Sequence, residues 1–353
     1  MFHETGLPDV RLGSPYLGMP STAVAARTAP AYRAFAVTVA RKQQLSPCFV
    51  RLTFTGAELA DFGRDCLDQR IKIVLPAADG SAPDPAAFAR EDWYQEWRAL
   101  PEDQRNPFRT YTVRAVRTAA DGSTELDVDF VLHGDGPDAG PASRWVAQVQ
   151  PGAASVINGP NARYEGAPVG LEWAPPATAT EYLLAGDETA APAISSIVES
   201  LPAGTRADAF IEVPTAADAL DLVVPDGVTV TWLPRDGGSG VVAPHGSLLD
   251  AAVRRCMDAR QRHCASCLGE HTCGLAQALG APDFVEVDVD DAILWDVPSA
   301  VPSVSAAITG CYAWIAGEAA TVRDLRRHLV RDIGIDRRAV AFMGYWRRGR
   351  SEC

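Results

Sequence analysis

The sequence predicts a two-domain β plus α/β protein: an N-terminal antiparallel β-barrel followed by a doubly wound parallel-sheet domain. Three observations carry this reading. From residue 33 to about residue 165, apolar side chains alternate with period 2, the mark of half-buried strands. Beyond residue 178, short apolar runs alternate with helical patterns, which calls for a parallel sheet. A Pro/Ala-rich stretch, Trp173 to Thr180, separates the two grammars. The expected parts are an arm over residues 1–32, a barrel domain over 33–170 and an α/β domain over 178–350.

Residues 1–32 are rich in Gly, Pro, Ala and Thr without sustained periodicity, which predicts a mobile arm. Strands follow where Phe35, Val37 and Val39 alternate, then Val50, Leu52 and Phe54, then Ile71, Ile73 and Leu75, and later Leu126, Val128, Phe130 and Leu132. Asp79-Gly80 and Asp121-Gly122 mark turns, and the set reads as a small closed barrel. Residues 82–106 are polar with Trp93, Tyr94 and Trp97 among them, a long insertion between strands. In the second part, Tyr182-Leu183-Leu184 runs into Ala185-Gly186-Asp187-Glu188-Thr189 and a helix bearing Ile194, Ile197, Val198 and Leu201. Further strands are expected at Ala209–Val213, Val228–Leu233, Cys311–Ile315 and Ala339–Met343. Helices are expected at Ser247–Asp258 and Val322–Arg331, the latter opened by Thr321 and Asp324 at capping-box spacing and closed before Gly334.

The 353 residues carry 45 acids and 32 bases, a formal charge of −13, with 47% hydrophobic residues. That mix supports a buried core and excludes a disordered or fibrous chain. The negative charge argues against nucleic-acid binding, which needs a basic surface. The basic set is 30 Arg and two Lys, Lys42 and Lys72, so each lysine goes against the local habit. No secretory leader opens the chain and no apolar run is long enough to span a bilayer, which points to the cytoplasm. Eight dispersed cysteines do not form a secreted disulfide framework. Cys264-x-x-Cys267, with Cys273, His263 and His271 nearby, has the spacing of a tetrahedral metal or iron–sulfur site. Cys256 instead continues the stripe Leu248, Leu249, Ala252, Val253 and reads as core, and the others fit equally as reduced thiols on a loop. No metal is assigned, and Cys264, Cys267 and Cys273 stand as candidate ligands. Nine arginines between Arg323 and Arg350 read chiefly as solvated faces paired with acids.

The strongest local signal is Arg109-Thr110-Tyr111-Thr112-Val113-Arg114. Alternation puts Arg109, Tyr111 and Val113 on one face and Thr110, Thr112 and Arg114 on the other. A ligand with a diphosphate and a flat ring suits this pattern, the arginine forking the first and the tyrosine lying against the second. A surface strand of arginine–acid pairs is the alternative.

This segment resembles the flavin-binding R-x-Y-[ST] signature of ferredoxin-reductase-like flavoproteins, and in its context the siderophore-interacting protein family. Supporting segments follow in order: Asp129-Phe-Val-Leu-His133-Gly134, Gly140-Pro-Ala-Ser-Arg-Trp145, Asn158-Gly159-Pro160, Gly186-Asp-Glu-Thr-Ala190, Trp314-Ile-Ala-Gly-Glu318 and Gly344-Tyr-Trp-Arg347. The resemblance implies a barrel that binds FAD and an α/β domain that presents a reductant, NADPH or NADH. It implies that Arg109 binds the pyrophosphate and Tyr111 packs on the isoalloxazine. Thr112 and the backbone at Val113 would meet the flavin N5 edge, with Arg114 in the same segment. His133, Ala142, Ser143 and Trp145 would line the remainder, and Thr189 would sit where the flavin or nicotinamide is approached.

Lys72 resembles the family's lysine for the ferric siderophore. The arginine expected directly after the Gly-Pro turn is displaced here, since Asn161 follows Pro160 and Arg163 is the nearest arginine. An acidic protein needs such a local cationic patch to capture an anionic chelate. Asp187, Arg235, Glu318 and Arg347 are candidates for contact with NAD(P)H, Arg235 for a 2′-phosphate. The implied activity is reduction of ferric siderophores in the cytoplasm by an FAD enzyme without a membrane span. A ferredoxin-linked flavin reductase with another acceptor, and a non-catalytic siderophore binder, are the rival readings.

Overall fold

The computed structural model describes residues 29–90, 92–132, 140–237, 241–266, 294–298 and 310–349. The expected arm up to residue 28, His133, the side chain of Cys264, and Cys267 and Cys273 lie outside the described residues.

The first sheet has seven strands: β1 (Tyr32–Gln44), β2 (Phe49–Thr55), β3 (Arg70–Val74), β4 (Phe108–Thr112), β5 (Ala115–Thr118), β6 (Thr124–Val131) and β7 (Ala154–Pro160). All pairings are antiparallel, in the order β4-β3-β7-β1-β2-β6-β5. The alternating residues face inward as the pattern requires: Phe35, Val37, Leu52, Phe54, Ile71, Ile73, Leu126 and Val128 form one core. A register shift between Val39 and Arg41 bends β1, so that one strand serves both β7 and β2. Hydrogen bonding does not close the ring that the sequence predicts. β4 and β5 remain the two ends of the order. The sheet curls until β4 and the residues just after it approach β6, beside β5: the Tyr111 ring lies 4.3 Å from that of Phe130, and the Arg114 amide donates to Asp127 O at 2.9 Å.

The insertion folds into two short helices, α1 (Pro85–Phe88) and α2 (Trp93–Ala99). Their aromatic side chains cover Phe108, Val74 and Val156 on the outer side of the barrel. Helix α3 (Pro141–Gln148) closes one end, with Ala142 and Val146 in the barrel core.

The second sheet comprises β8 (Ala179–Gly186), β9 (Arg206–Val213), β10 (Val228–Pro234), β11 (Trp295–Asp296), β12 (Gly310–Glu318) and β13 (Val340–Trp346). Its order is β10-β9-β8-β12-β13-β11, parallel except where β11 pairs antiparallel to β13. Helix α4 (Ala191–Ser200) packs with Leu184, Ala209 and Trp314 on one face. Helices α5 (Ser247–Ser266) and α6 (Ala319–Arg326) pack with Leu183, Ala185 and Ile315 on the other. This is the doubly wound arrangement, and its strand order reverses between β8 and β12.

Two helix ends differ from the expectation. α5 continues past Asp258 because Ala259, Arg260, Gln261 and Arg262 are all compatible with helix. α6 begins at Ala319 and is capped by Glu318, whose carboxylate accepts the Thr321 amide at 3.0 Å. Thr321 is therefore inside the first turn, and Asp324 pairs with Arg323 rather than completing a capping box.

A polar seam joins the domains. Asp68 is fully buried and accepts the Trp314 indole N–H at 2.9 Å together with the amides of Glu172 and Trp173. The two residues before it, Cys66 and Leu67, adopt left-handed backbone with φ of 51° and 55°. Asp218 of the α/β domain accepts the Ser46 hydroxyl and the Cys48 amide, both at 2.8 Å.

Candidate functional site

The barrel edge is built by the β3–β4 pair. Tyr111 stands opposite Ile71 and Arg109 opposite Ile73, while Lys72 stands opposite Thr110. Tyr111, Phe130 and Trp145 form a row, with ring centroids 4.3 Å and 6.2 Å apart. Burial pushes the Tyr111 phenol above its ordinary range. The start of α3 has Gly140 as N-cap and no side-chain cap, and Ala142 and Ser143 are buried there. Uncapped amides of this kind suit an anion. β4 has one strand neighbour among the described residues, so alternate backbone groups face outward from the sheet. These features fit FAD: an arginine, a ring for stacking, open amides and a free strand edge lie together. Thr112 is buried in that strand, and the Val113 amide is already donated to Gln69 O at 2.9 Å. Arg114 serves the domain seam, bonding Glu199 at 2.7 Å and lying 3.7 Å from Asp129. For Arg114 the arginine–acid alternative describes the structure.

Lys72 lies on the outer side of the same ribbon, so the structure puts it across the sheet from Arg109 and Tyr111. Its ammonium sits 4.9 Å from the centroid of Phe108, whose ring also packs at 4.7 Å on Trp97. Lys72 has no ion pair among the described residues. Burial, and then the Arg70 charge, pull it below the ordinary lysine range. Arg163 follows β7 at an exposed turn and pairs with Asp61 at 2.7 Å. No contact joins it to Lys72 among the described residues.

The second cluster lies at the carboxyl ends of β8 and β12, the switch point where open α/β sheets bind ligands. Asp187 Oδ1 accepts the Thr189 amide at 2.9 Å and its hydroxyl at 2.5 Å. Its Oδ2 accepts the Glu318 amide and the Trp346 indole N–H, both at 2.8 Å. A Cβ on Gly317, at φ 146°, would come within 2.7 Å of that carboxylate, so glycine is required for the approach. Burial, and then the neighbouring Glu188 charge, push Asp187 up. Glu188 is also buried, but His245 and Arg235 outweigh the burial and hold it down at about 2. Arg235 grips Glu188 with two bonds of 2.9 and 3.0 Å and lies 3.4 Å from Glu212. Its expected role at a 2′-phosphate is therefore corrected: the guanidinium is committed to two buried carboxylates. Glu318 caps α6, as described above. Arg347 directly follows β13 and Trp346, at the same end of the sheet.

Of the expected residues, the structure groups Arg109, Tyr111, Thr112 and α3 at the barrel edge, and Asp187, Thr189, Glu318 and Arg235 at the switch point. The sequence reading missed His245, Trp346 and Glu212. Trp346 stood within a quoted segment, whereas His245 lies in the Pro244–Gly246 loop, where no periodicity marks it.

The siderophore-interacting FAD-binding domain model matches residues 38–164, and the siderophore-interacting protein model matches residues 179–349. The barrel is thus an FAD-binding domain. An uncharacterized protein of Mycobacterium tuberculosis is 33% identical over 323 residues, covering 90% of this chain and 91% of that one. Ferric vibriobactin reductase ViuB of Vibrio cholerae is 32% identical over 201 residues, 56% of this chain and 65% of that protein. A siderophore utilization protein from T. fusca superposes with a TM-score of 0.59 at 26% identity, covering 91% of this chain and 95% of that one. With both family models matched in order, the chain belongs to the siderophore-interacting protein family.

Proposed function

We propose that this protein is an FAD-dependent reductase of ferric siderophores that draws electrons from NAD(P)H and releases ferrous iron in the cytoplasm. One observation carries the reading: an FAD-binding barrel and a strand switch point occur in one chain, with a lysine on the barrel that has no ion pair among the described residues. When bound, FAD supplies the conversion between a two-electron donor and a one-electron acceptor, chemistry that side chains do not provide.

The chain's own residues bind and orient. Arg109 and the α3 amides hold the diphosphate, and Tyr111 offers its ring to the flat portion. Asp187 fixes the rotamer of Thr189 through two hydrogen bonds. Lys72 neutralises part of the charge of an anionic iron chelate, with Phe108 beside it. Hard oxygen donors bind Fe(III) more tightly than Fe(II), so reduction loosens the complex and no catalytic acid is required at the metal. The similarity to ViuB, a ferric vibriobactin reductase, supports this direction. Among the described residues no helix is long and apolar enough to cross a membrane.

The test is anaerobic mixing of FAD-loaded protein, NADPH or NADH, and a ferric siderophore, with a coloured Fe(II) chelator as readout. Fe(II) should form only when all three are present. Flavin reduction without Fe(II) would favour another acceptor, and siderophore binding without any reduction would favour a non-catalytic binder.

A further inference from the structure

Lys42 is the second of the two lysines, and the site described above does not use it. Along β1 the inward positions are at first odd-numbered: Phe35, Val37 and Val39 lie in the barrel core. The register shift between Val39 and Arg41 inserts one residue and reverses that parity. Val39 stands opposite Phe54, and after the shift Lys42 stands opposite Leu52, both partners being core residues. Cross-strand partners share a face of the sheet, so the bulge turns Lys42 toward the inner side. It leaves Arg41 outside, where it pairs with Glu125.

What Lys42 meets there is the end of α3. Its Nζ donates to Ala147 O at 2.9 Å, in the last turn of that helix. The last four carbonyls of a helix have no partner within it, and a cation beside them is favoured by the helix dipole. The Val149 amide takes the Trp145 carbonyl at 2.8 Å, and Lys42 takes that of Ala147. Pro141–Gln148 is eight residues long, too short to be stable by itself. Its place therefore depends on what grips it: Ala142 and Val146 in the barrel core, and Lys42 at its end. No carboxylate pairs with Lys42 among the described residues, so its charge is directed at the helix alone.

We infer that Lys42 is a positioning residue for FAD: by holding the carboxyl end of α3 it fixes where the uncapped amides of the other end point. The inference rests on the placement of the FAD diphosphate at α3 proposed above, and adds the residue that sets the helix. Gly140 and Ala147 are roughly 10 Å apart along the helix axis, so Lys42 acts on the diphosphate through α3 rather than by touching it. Hydrogen bonds weaken steeply as the donor turns away from its acceptor, and those to charged oxygens have most to lose. A lysine anchored on a strand of the barrel removes one direction in which a short helix can tilt. The bulge in β1 is what brings that lysine within reach.

The test titrates FAD, and riboflavin, which lacks the diphosphate and the adenosine, into flavin-free protein by calorimetry. The unsubstituted protein should hold FAD tighter than riboflavin. Lys42→Ala should raise the FAD Kd about fivefold, the upper range for a cation at a helix carboxyl end, and leave the riboflavin Kd within about twofold. Lys42→Met keeps the apolar stem without the donor and should match the alanine variant. Lys42→Arg still presents a donor to the same carbonyl and should recover most of the FAD affinity. If Lys42→Ala does not fold, methionine against arginine gives the same comparison. An FAD Kd unmoved by Lys42→Ala, or a methionine variant as tight as the unsubstituted protein, overturns the inference. Equal weakening of FAD and riboflavin also overturns it, because the lysine would then support the barrel as a whole. If the unsubstituted protein holds FAD no tighter than riboflavin, the diphosphate is not held at α3, and that failure shows without any variant.

Discussion

Lys72 on β3 and Arg235 after β10 are both cations drawn out of water, but their charges are used differently. Arg235, with its side chain 11% exposed, spends its guanidinium on Glu188 and Glu212 within its own fold. Lys72 has an aromatic ring beside it and no carboxylate among the described residues. A paired buried charge holds structure, and removing one partner strands the other at a cost. A half-buried charge with no partner costs the fold little to lose and has attraction to offer a ligand. On the proposed reading, the cation at the switch point stabilises and the cation at the barrel recognises.

The comparison breaks most visibly at Arg235. Arg235→Ala should lower the unfolding free energy in urea by about 3–5 kcal/mol, because two buried carboxylates lose their counter-charge. Unchanged stability would show that the pair is not structural. Lys72→Ala should leave stability within about 1 kcal/mol, the scale of an ammonium–ring contact. It should raise the KM for an anionic ferric siderophore about tenfold, a loss of about 1.4 kcal/mol. Lys72→Arg should restore most of that KM, and a KM unmoved in the alanine variant would remove Lys72 from the substrate site.

Acid stability separates the regions further. Glu188, held down at about 2, contributes stability that is present above its ordinary value of 4.5 and lost as the pH falls toward 2. His245, whose pKa is raised, contributes stability that is present below its ordinary 6.5 and fades as the pH climbs through the raised value. Asp187, raised by burial, opposes Glu188 on the acid side. Glu188→Gln should thus flatten the acid limb of a stability–pH curve, while Lys72→Ala should leave that limb alone. The smallest effect belongs to Arg163→Ala. Its exposed pair with Asp61 should be worth at most about 0.5 kcal/mol, and a KM that also stays fixed would exclude it from siderophore binding.

Strand alternation was legible where one side of a strand is buried, as with Ile71 and Ile73 around Lys72. The same alternation correctly separated Lys72 from its apolar neighbours. It could not show that β4 and β5 each keep one open side among the described residues, because ring closure depends on curvature rather than on local pattern. Glu318 looked like a donor contact and is a helix cap, since a single carboxylate before an apolar run serves either purpose. Arg235 looked available for a phosphate, and only the fold shows Glu188, 47 residues earlier, already bonded to it. His245 carried no signal, because a loop between proline and glycine has no periodicity to read. The β4 strand through Arg109–Thr112 was the most legible part of the barrel edge, being contiguous in sequence.

The buried Asp68 ties three protons to one carboxylate: the Trp314 indole proton and the amide protons of Glu172 and Trp173. They come from two places far apart in the chain, the adjacent pair Glu172–Trp173 and Trp314, and Cys66 and Leu67 hold a left-handed turn just before the acceptor. No local fraying frees all three. They become open to solvent deuterium together when the two domains part, and their common exchange rate counts how often that happens.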